Sequence, residues 1–192
     1  ALFSAGSDVS LNCAPKYTEI GSTVIENSTA CRIDKSKKQV IPEINGHVLS
    51  DKDKIIANPN CSTIQMLMVI APIHWEYKIK RIIISTYQSV TGTGQKAINQ
   101  LENESKGKSG EMIYPHQIYQ NALPQCDSFE KDGYTKEELK LVKETKKILN
   151  TNEIGISATA VRVPIIGGHS ESINLELENP FEIDDIKKIL NN

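Results

Sequence analysis

Asn58-Pro59-Asn60-Cys61-Ser62-Thr63 is the stretch that decides the fold, because an extended segment leads into it and an apolar run leaves it. The apolar run predicts a helix that begins near Ser62. Its predicted inward side consists of Ile64, Met66, Leu67, Met68, Val69 and Ile70. Cys61 then lies at or just before a helix N-terminus, where unpaired N–H groups and the macrodipole favour an anion.

This position indicates a reactive thiol. The thiolate is the nucleophilic form of cysteine, and helix N-termini lower thiol pKa values. A buried structural cysteine is the common alternative. Because a polar turn, and not an apolar core, surrounds the sulfur, we interpret Cys61 as a nucleophile.

The composition is that of an ordinary soluble protein. The 192 residues are 39% hydrophobic and 24% charged, with a net charge of −2. This charge provides no long-range attraction to nucleic acid or to an anionic membrane. No apolar run reaches the ~18 residues of a membrane span. We therefore expect neither nucleic acid nor a membrane as a partner.

The cysteines and histidines give little support for a metal site. The four cysteines are widely spaced, without a C-x-x-C pair, so a disulfide framework or zinc site is not expected. A reducing compartment fits this pattern, and we expect a cytoplasmic protein. The four histidines form no i, i+4 pair and no H-E-x-x-H motif. We predict no metal.

The first third of the chain indicates the edge of a nucleotide site. Residues 1–3 form the tail of a buried parallel strand, followed by the loop Ser4-Ala5-Gly6-Ser7, and residues 22–26 form the next strand. That second strand ends in a polar loop that closes with Arg32. Ligands of open α/β sheets bind at the carboxyl ends of strands.

No G-x-G-x-x-G occurs near the start, and the chain opens on a bare strand, so we expect a piece of a longer protein. A composition shift near residues 50–53 is the predicted domain boundary. It divides the chain into 1–53, the end of a Rossmann-type nucleotide-binding domain, and 54–192, a mixed-sheet α/β domain.

The second predicted domain alternates strands and helices. A buried strand around residues 82–84 runs into Gln88 and a Gly-Thr-Gly turn, and a helix follows from about residue 95 to 104. Thr135 and Glu138 have the spacing of a capping box at the start of another helix. Strand-like segments follow at 154–164 and 172–177, and a last helix is expected after Pro180.

Three side chains in this domain are candidates for chemistry, each with an alternative. Gln88 lies at a strand end and could orient a substrate, or could simply cap a loop. His169 follows two glycines, and its ordinary pKa of about 6.5 suits a general acid or base, although a lone histidine is often only a surface residue. Arg162 stands in an apolar strand and faces an acid or an anionic ligand, unless it points outward.

Charged pairs are less informative. Glu137 and Lys140 lie three residues apart on one helix face and by themselves indicate a solvated pair. Arg32 could bind phosphate, and a surface arginine is an equal alternative.

The order of these segments closely resembles aspartate-β-semialdehyde dehydrogenase nearly end to end. The carrying segments are Leu2-Phe3-Ser4-Ala5-Gly6, Asn27-Ser28 with Arg32, Pro42-Glu43-Ile44-Asn45, Asn58 to Thr63, Ser85-Thr86-Tyr87-Gln88, Asn121-Ala122-Leu123-Pro124, Glu144-Thr145-Lys146-Lys147, Arg162-Val163-Pro164 and His169-Ser170. The N-terminal glycine loop and the C-terminal segment of that family are absent. Cys31 stands where many relatives carry an aromatic residue.

The resemblance implies a mechanism. Cys61 would attack the acyl phosphate of β-aspartyl phosphate, expelling phosphate and leaving a thioester. NADPH would deliver hydride, and the thiohemiacetal would collapse to aspartate semialdehyde, an intermediate in lysine, threonine and methionine biosynthesis. His169 would handle the proton during the collapse, and Gln88 would orient Cys61 and the substrate.

The resemblance also implies binding roles. Arg162 would take the substrate carboxylate, Glu137 the amino group, and Arg32 and Lys140 the phosphate, with Asn60 positioning the reacting group. Residues on the cofactor side would be Ser4, Ala5, Gly6, Thr91 and Gly92. The 54–192 segment would be both the catalytic and the dimerisation domain, giving a homodimer or a dimer of dimers.

Two other interpretations remain open at this point. An N-acetyl-γ-glutamyl-phosphate reductase would use related chemistry, but the Asn58 to Cys61 stretch and the Arg162/His169 pair fit it less well. A non-catalytic dimerisation fragment would form a stable dimer without thiol reactivity.

Overall fold

The computed structural model describes residues 1–32 and 34–191 and contains two separate sheets. One consists of short parallel strands, and the other is a mixed sheet of longer strands. The described residues fall into two compact units. Unit 1 takes Ala1–Lys80, Lys143–Ile154 and Leu177–Asn192, apart from the two positions outside the described residues, and unit 2 takes Arg81–Val142 and Gly155–Glu176. The predicted α/β class, with the end of a Rossmann-type domain and a mixed sheet, is confirmed.

Unit 1 contains a four-stranded sheet of order β1-β2-β4-β3. Its strands are β1 (Leu2–Phe3), β2 (Val24–Glu26), β3 (Lys38–Gln39) and β4 (Ile55–Ala57). Every neighbouring pair is parallel, so the carboxyl ends of β1, β2 and β4 lie at one edge. The loops after these three strands therefore meet there, as predicted for a ligand-binding edge.

Five helices contribute residues to unit 1. They are α1 (Ser7–Glu19), α2 (Pro42–Asn45), α3 (Cys61–Tyr77), the last residues of α5 (Lys136–Ile148) and α6 (Ile183–Leu190). A single 3-10 turn, Gly46–Val48, follows α2. Helix α1 continues through Pro15 to Glu19. Tyr77 and Phe181 meet edge to face, with ring centroids 6.2 Å apart.

The predicted inward face of α3 is only partly correct. Met66, Leu67 and Ile70 are buried, but Met68 and Val69 are 42% and 45% exposed. Residues in succession on a helix point about 100° apart, so a run of five consecutive apolar residues cannot all face one side. The helix start at Cys61 agrees with the prediction.

Unit 2 contains a three-stranded mixed sheet of order β6-β5-β7. Strand β5 (Ile79–Gln88) pairs in parallel with β6 (Gly155–Arg162) over its whole length from Arg81 onward. Strand β7 (Ser170–Leu177) is the other neighbour of β5, and two contacts indicate that it runs antiparallel to β5. Arg81 near the start of β5 is 3.1 Å from Glu176 near the end of β7, and Ser89 after β5 bonds His169 before β7.

Helix α4 (Gln95–Ser105) and the irregular segment that follows it form a core of their own in unit 2. This core comprises Val90, Ala97, Leu101, Tyr114, Ile118 and Leu123. The irregular segment is held by two polar side chains of α4: Gln100 accepts from the N–H groups of Ile113 and Tyr114, and Glu104 from those of Ile118 and Tyr119.

The predicted capping box at the start of α5 is present. The Glu138 carboxylate accepts hydrogen bonds from the Thr135 N–H and hydroxyl, both at 2.7 Å, and the Glu138 N–H donates to Thr135 Oγ1 at 3.4 Å. The other oxygen of Glu138 accepts from the Ala160 N–H at 3.0 Å. Because β6 is an edge strand of its sheet, the Ala160 N–H has no neighbouring strand to bond. The Glu138 carboxylate therefore accepts hydrogen bonds both from donors at the helix start and from a donor at the strand edge.

We predict that Glu138→Ala lowers the free energy of unfolding by about 3 kcal/mol, because it leaves buried donors of Thr135 and Ala160 without an acceptor. Urea unfolding followed by circular dichroism measures the change. Glu153→Ala, at an exposed position, is the matched control. An equal effect of the two substitutions would contradict the assigned role of Glu138.

Candidate active site

The side chain of Asn60 fixes the start of helix α3. Its Oδ1 accepts hydrogen bonds from the N–H groups of Ser62 at 3.0 Å and Thr63 at 3.4 Å. Asparagine is among the most favourable N-cap residues because it satisfies such donors. Asn60 is buried, whereas Cys61, the first helical residue, is exposed. The thiol is therefore presented to solvent at a helix end that favours negative charge.

A buried carboxylate holds the backbone in front of the thiol. Glu144, near the end of α5, accepts a hydrogen bond from the Asn60 N–H at 2.7 Å. Its other oxygen lies 3.9 Å from Nη1 of Arg32. Arg32 also donates to the backbone carbonyls of Asn58 and Asn27, each at 2.8 Å. Arg32, Asn60 and Cys61, three of the predicted site residues, are thus brought together within unit 1.

Glu144 was not among the predicted site residues, although the sequence carries a signal for it. It lies three residues after Leu141 and four before Ile148, so it falls on the apolar stripe of α5. An acid in that position is buried, and a buried acid needs partners.

The loop that carries Arg32 has a second anchor on α5. Lys147 donates to the carbonyls of Arg32 at 3.1 Å and Asp34 at 2.9 Å. Burial lowers the pKa of Lys147, and the nearby charges of Asp34 and Glu144 only partly oppose this shift.

The predicted cofactor-side residues Ser4, Ala5 and Gly6 form the exposed loop after β1. Gly6 has φ of +92°, a conformation that glycine adopts without strain, and it stands at the N-terminus of α1. Asn27 follows β2 and donates to Ser4 Oγ at 3.5 Å, and Asn58 follows β4 and donates to Asn27 at 2.8 Å. Three strand ends therefore present small polar side chains at one sheet edge.

In unit 2, Arg162 points inward and not outward. It is 7% exposed, and its Nη1 donates to the Ser89 carbonyl at 2.8 Å. Its Nε has no hydrogen-bond partner among the residues that the structure describes. The Tyr114 ring centroid lies 6.0 Å from the guanidinium carbon.

His169 lies beside this arginine. Its Nδ1 accepts a hydrogen bond from the Ser89 N–H at 3.0 Å, which places the proton of the neutral ring on Nε2. Burial and the Arg162 charge lower the pKa of His169, and the Glu137 charge opposes them. A β-carbon added at Gly92 would be 3.1 Å from the imidazole Nε2 and 3.3 Å from Arg162 Nη1. Glycine at 92 thus leaves room for both groups.

Ser89 is a second residue that sequence reasoning missed. Its N–H bonds His169, its carbonyl accepts from Arg162, and its hydroxyl donates to the Gly167 carbonyl at 2.7 Å. The only sequence signal for the contacts of Ser89 with His169 and Arg162 is that Ser89 directly follows Gln88 at the end of a strand. Thr91, a predicted cofactor-side residue, is exposed and accepts from the Gly167 N–H at 3.0 Å.

Gln88, Glu137 and Lys140 form a chain of contacts in unit 2. Gln88, 1% exposed, donates to Glu137 at 3.2 Å, and Glu137 lies 3.0 Å from the Lys140 ammonium. Lys140 is also 3.0 Å from Asp127. The sequence indicated a solvated Glu137–Lys140 pair, and that interpretation is wrong: Glu137 is 6% exposed and the Lys140 side chain 16%.

The reason is that Glu137 follows the capping threonine in the first turn of α5, where the helix packs inward. Burial acts to lower the pKa of Lys140, but the charge of Glu137 and the hydrogen bonds to Asp127 and Glu137 outweigh it, so the pKa is raised. Lys140 therefore stays charged beside two acids.

Neither a metal site nor a membrane span is found in the described part of the chain. Among residues 1–32 and 34–191, no group of three or more metal-ligating side chains is placed to hold an ion. No described helix is long and apolar enough to cross a membrane.

Comparison with known families gives two matches along the chain. A family model described as "Semialdehyde dehydrogenase, NAD binding domain" matches residues 1–52. A second, "Semialdehyde dehydrogenase, dimerisation domain", matches residues 70–192.

Individual relatives agree with these matches. An aspartate-semialdehyde dehydrogenase of Aquifex aeolicus is 48% identical over an alignment 200 residues long, which covers 100% of this chain and 59% of that protein. The crystal structure of Vibrio cholerae aspartate semialdehyde dehydrogenase II complexed with ASA has a TM-score of 0.95 at 40% identity, covering 100% of this chain and 59% of that one. The Candida albicans enzyme with NADP has a TM-score of 0.69 at 25% identity, covering 98% and 54%.

The chain thus spans 59% of the length of the Aquifex relative. The resemblance stated from the sequence is confirmed by the names of these relatives and by the family models. Because one of those models covers well over half of the residues, the chain belongs to the semialdehyde dehydrogenase family.

Proposed function

We propose that this chain carries out reductive dephosphorylation of β-aspartyl phosphate to aspartate semialdehyde, through a thioester on Cys61. The observation that carries the proposal is an exposed thiol at the capped N-terminus of α3, in a chain whose relatives are named aspartate-semialdehyde dehydrogenase. The helix end stabilises the thiolate that must attack the acyl carbon.

The first covalent step needs only this chain's residues and the substrate. The Cys61 sulfur forms a bond to the acyl carbon, and the bond from that carbon to the phosphate oxygen breaks with release of phosphate. Asn60, fixed by Glu144, positions the reacting group beside the sulfur. The product of this step is an acyl thioester.

The substrate is held by charged groups. Arg162 takes the substrate carboxylate; its burial and its Nε, without a partner among the described residues, support this assignment, since a carboxylate binds a guanidinium at two points. Glu137 meets the substrate amino group. Hydrogen bonds from Gln88 and Lys140 hold the Glu137 carboxylate in place. Arg32 and Lys140 bind the phosphate.

A nicotinamide cofactor, which we take to be NADPH, supplies the hydride that reduces the thioester. The exposed loop of Ser4, Ala5 and Gly6 at the carboxyl edge of the parallel sheet fits such a cofactor, and Thr91 and Gly92 are assigned to its nicotinamide end. The NADP complex of the Candida relative supports this choice. His169 handles the proton as the reduced adduct collapses, and Gln88 orients the thiol and the substrate.

The biological setting follows from the same chemistry. Aspartate semialdehyde serves lysine, threonine and methionine synthesis, and we assign the protein to the cytoplasm. We propose a homodimer or a dimer of dimers formed through the segment that matches the dimerisation model. Ile83 and Tyr87, which are 41% and 45% exposed on the outward face of β5, are the side chains that we assign to that contact.

Alkylation by iodoacetamide tests the nucleophile. In a Cys13→Ser background we expect Cys61 to react faster than the two remaining cysteines. Burial raises the pKa of Cys31, and raises that of Cys126 to about 11. Asn60→Ala should slow the reaction of Cys61 at neutral pH about tenfold, because without its cap the first turn of α3 frays and no longer holds the thiolate at an ordered helix end.

Peptide mapping identifies the alkylated cysteine, and Asn12→Ala, at an exposed position of α1, is the matched control. A slow Cys61 whose rate rises only around the free-thiol pKa of ~8.5 would contradict the proposal and favour a non-catalytic dimerisation fragment. If the chain reduced N-acetyl-γ-glutamyl phosphate faster than β-aspartyl phosphate, the result would instead favour an N-acetyl-γ-glutamyl-phosphate reductase.

We predict that His169 titrates below the ordinary value of about 6.5, because burial and the Arg162 charge both disfavour the imidazolium. Arg162→Met removes a positive charge and should raise the pKa of His169, whereas Glu137→Gln removes a negative charge and should lower it. NMR titration of imidazole-labelled protein measures these shifts.

Lys131→Met removes an exposed charge elsewhere and serves as the control. Because the folded pKa of His169 is depressed, the unfolded state binds more protons below about pH 6.5, so stability from this group is lost as the pH falls through that value. A His169 pKa at or above 6.5, or one insensitive to Arg162→Met, would overturn the assigned electrostatics.

A further inference from the structure

A cavity in unit 1 is lined by residues that have no role in the proposed reaction. Its volume is about 540 Å³, within the range of about 300–1,000 Å³ that small-molecule sites occupy. It is bounded by the segment around β3, the turn after α2, the end of α3 and the end of α5. The polar and aromatic groups that matter here are Lys35, Lys37, Lys38, His47, Trp75 and Lys147.

The lining is strongly cationic. Four lysines face the cavity, and none of its lining residues is an aspartate or glutamate. Lys38 donates to the Val48 carbonyl at 2.5 Å and lies 3.8 Å from Asp53, so its charge is partly balanced from outside the cavity. Lys147 is tied to two backbone carbonyls. Asp34 and Glu144 lie close enough to interact with its ammonium group, so the charge of Lys147 is partly balanced as well.

The other two lysines are Lys35 and Lys37, and the charge of Asp34, which interacts electrostatically with Lys37, balances part of theirs from outside the lining. Neither the Lys35 nor the Lys37 ammonium makes a hydrogen bond or ion pair with another residue in the ranges 1–32 and 34–191. Several ammonium groups around one space create a positive potential that concentrates multivalent anions. Lysine binds phosphate as a point charge, so such a cluster suits a phosphate better than a single carboxylate.

Trp75 adds an aromatic wall to the cavity. It lies near the end of α3 and is 57% exposed, although a large ring is normally mostly buried. Apolar neighbours Ile44, Val48 and Ile148 line the same space. An exposed indole beside cationic groups can stack on the flat ring of a ligand whose charged end meets the lysines.

We propose that this cavity binds a ring-bearing phosphorylated small molecule of the nucleoside phosphate class. Lys35 and Lys37 contact the phosphates, and Trp75 stacks on the base. The site is separate from the proposed cofactor loop at Ser4 to Gly6, since the two share no residue.

The chain contains a single tryptophan, so its fluorescence reports on this cavity alone. The protein is titrated with ADP and, separately, with adenosine and with pyrophosphate, exciting the indole at the red edge of its band where adenine does not absorb. We expect saturable quenching by ADP. Adenosine, which lacks the phosphates, and pyrophosphate, which lacks the ring, should each bind at least about tenfold more weakly, because each loses one charge-assisted or stacking contribution.

Lys35→Gln/Lys37→Gln should weaken the ADP response at least about tenfold. Lys108→Gln/Lys131→Gln removes the same charge from exposed positions of unit 2 and should leave it unchanged. Calorimetry with Trp75→Phe, which keeps a smaller ring, should show a severalfold weaker ADP affinity.

No saturable quenching at millimolar ADP, or an equal loss of ADP affinity in the two double lysine variants, would overturn the proposal. If NADPH displaced bound ADP equally well from both double lysine variants, ADP would be assigned to the cofactor loop. That result would also overturn the proposal.

Discussion

The hydrogen bond from the Asn60 N–H to the buried Glu144 carboxylate is the contact on which the arrangement around Cys61 depends. Asn60 caps α3 with its side chain, while Glu144, near the end of another helix, holds its backbone. The carboxylate in turn lies 3.9 Å from Arg32, so the turn before Cys61 and the polar loop after β2 share one buried charge. A buried carboxylate is costly unless it is paired and hydrogen-bonded, and here both conditions are met.

Ser89 has the corresponding place in unit 2. Its backbone and hydroxyl groups fix the imidazole of His169 and one nitrogen of Arg162, and glycine at position 92 leaves the space that both side chains occupy. The neutral imidazole is favoured because burial, and then the nearby positive guanidinium, lower the pKa of His169. A group that is neutral before the reaction can accept a proton, and one with a depressed pKa gives that proton up readily.

Much of this arrangement could be predicted from the sequence because local signals and tertiary packing agree there. The polar turn before an apolar run located the start of α3, and the spacing of Thr135 and Glu138 located the start of α5. Consecutive apolar residues could not reveal that Met68 and Val69 face outward, since a helix that is apolar nearly all round has no single inward stripe. The continuation of α1 through Pro15 has no explanation in the local sequence.

The partners of buried charges were the least predictable feature. Glu137 and Lys140 have the spacing of an exposed pair, and only the packing of the first turn of α5 makes them a buried cluster with Gln88. Glu144 meets Asn60 across 84 positions of sequence, and no local pattern encodes a contact of that range. Burial of an acid on an apolar stripe signals that a partner exists but does not identify it.

The central claim is that Cys61 is acylated by an acyl phosphate, and mass spectrometry of the chain after exposure to β-aspartyl phosphate tests it most directly. Acylation precedes reduction, so the thioester should accumulate without any cofactor. We predict a hydroxylamine-labile aspartyl adduct on the peptide that contains Cys61, with release of one equivalent of phosphate. The adduct should be absent in Cys61→Ser and present in Cys126→Ser. No adduct, or one that persists in Cys61→Ser, would contradict the claim.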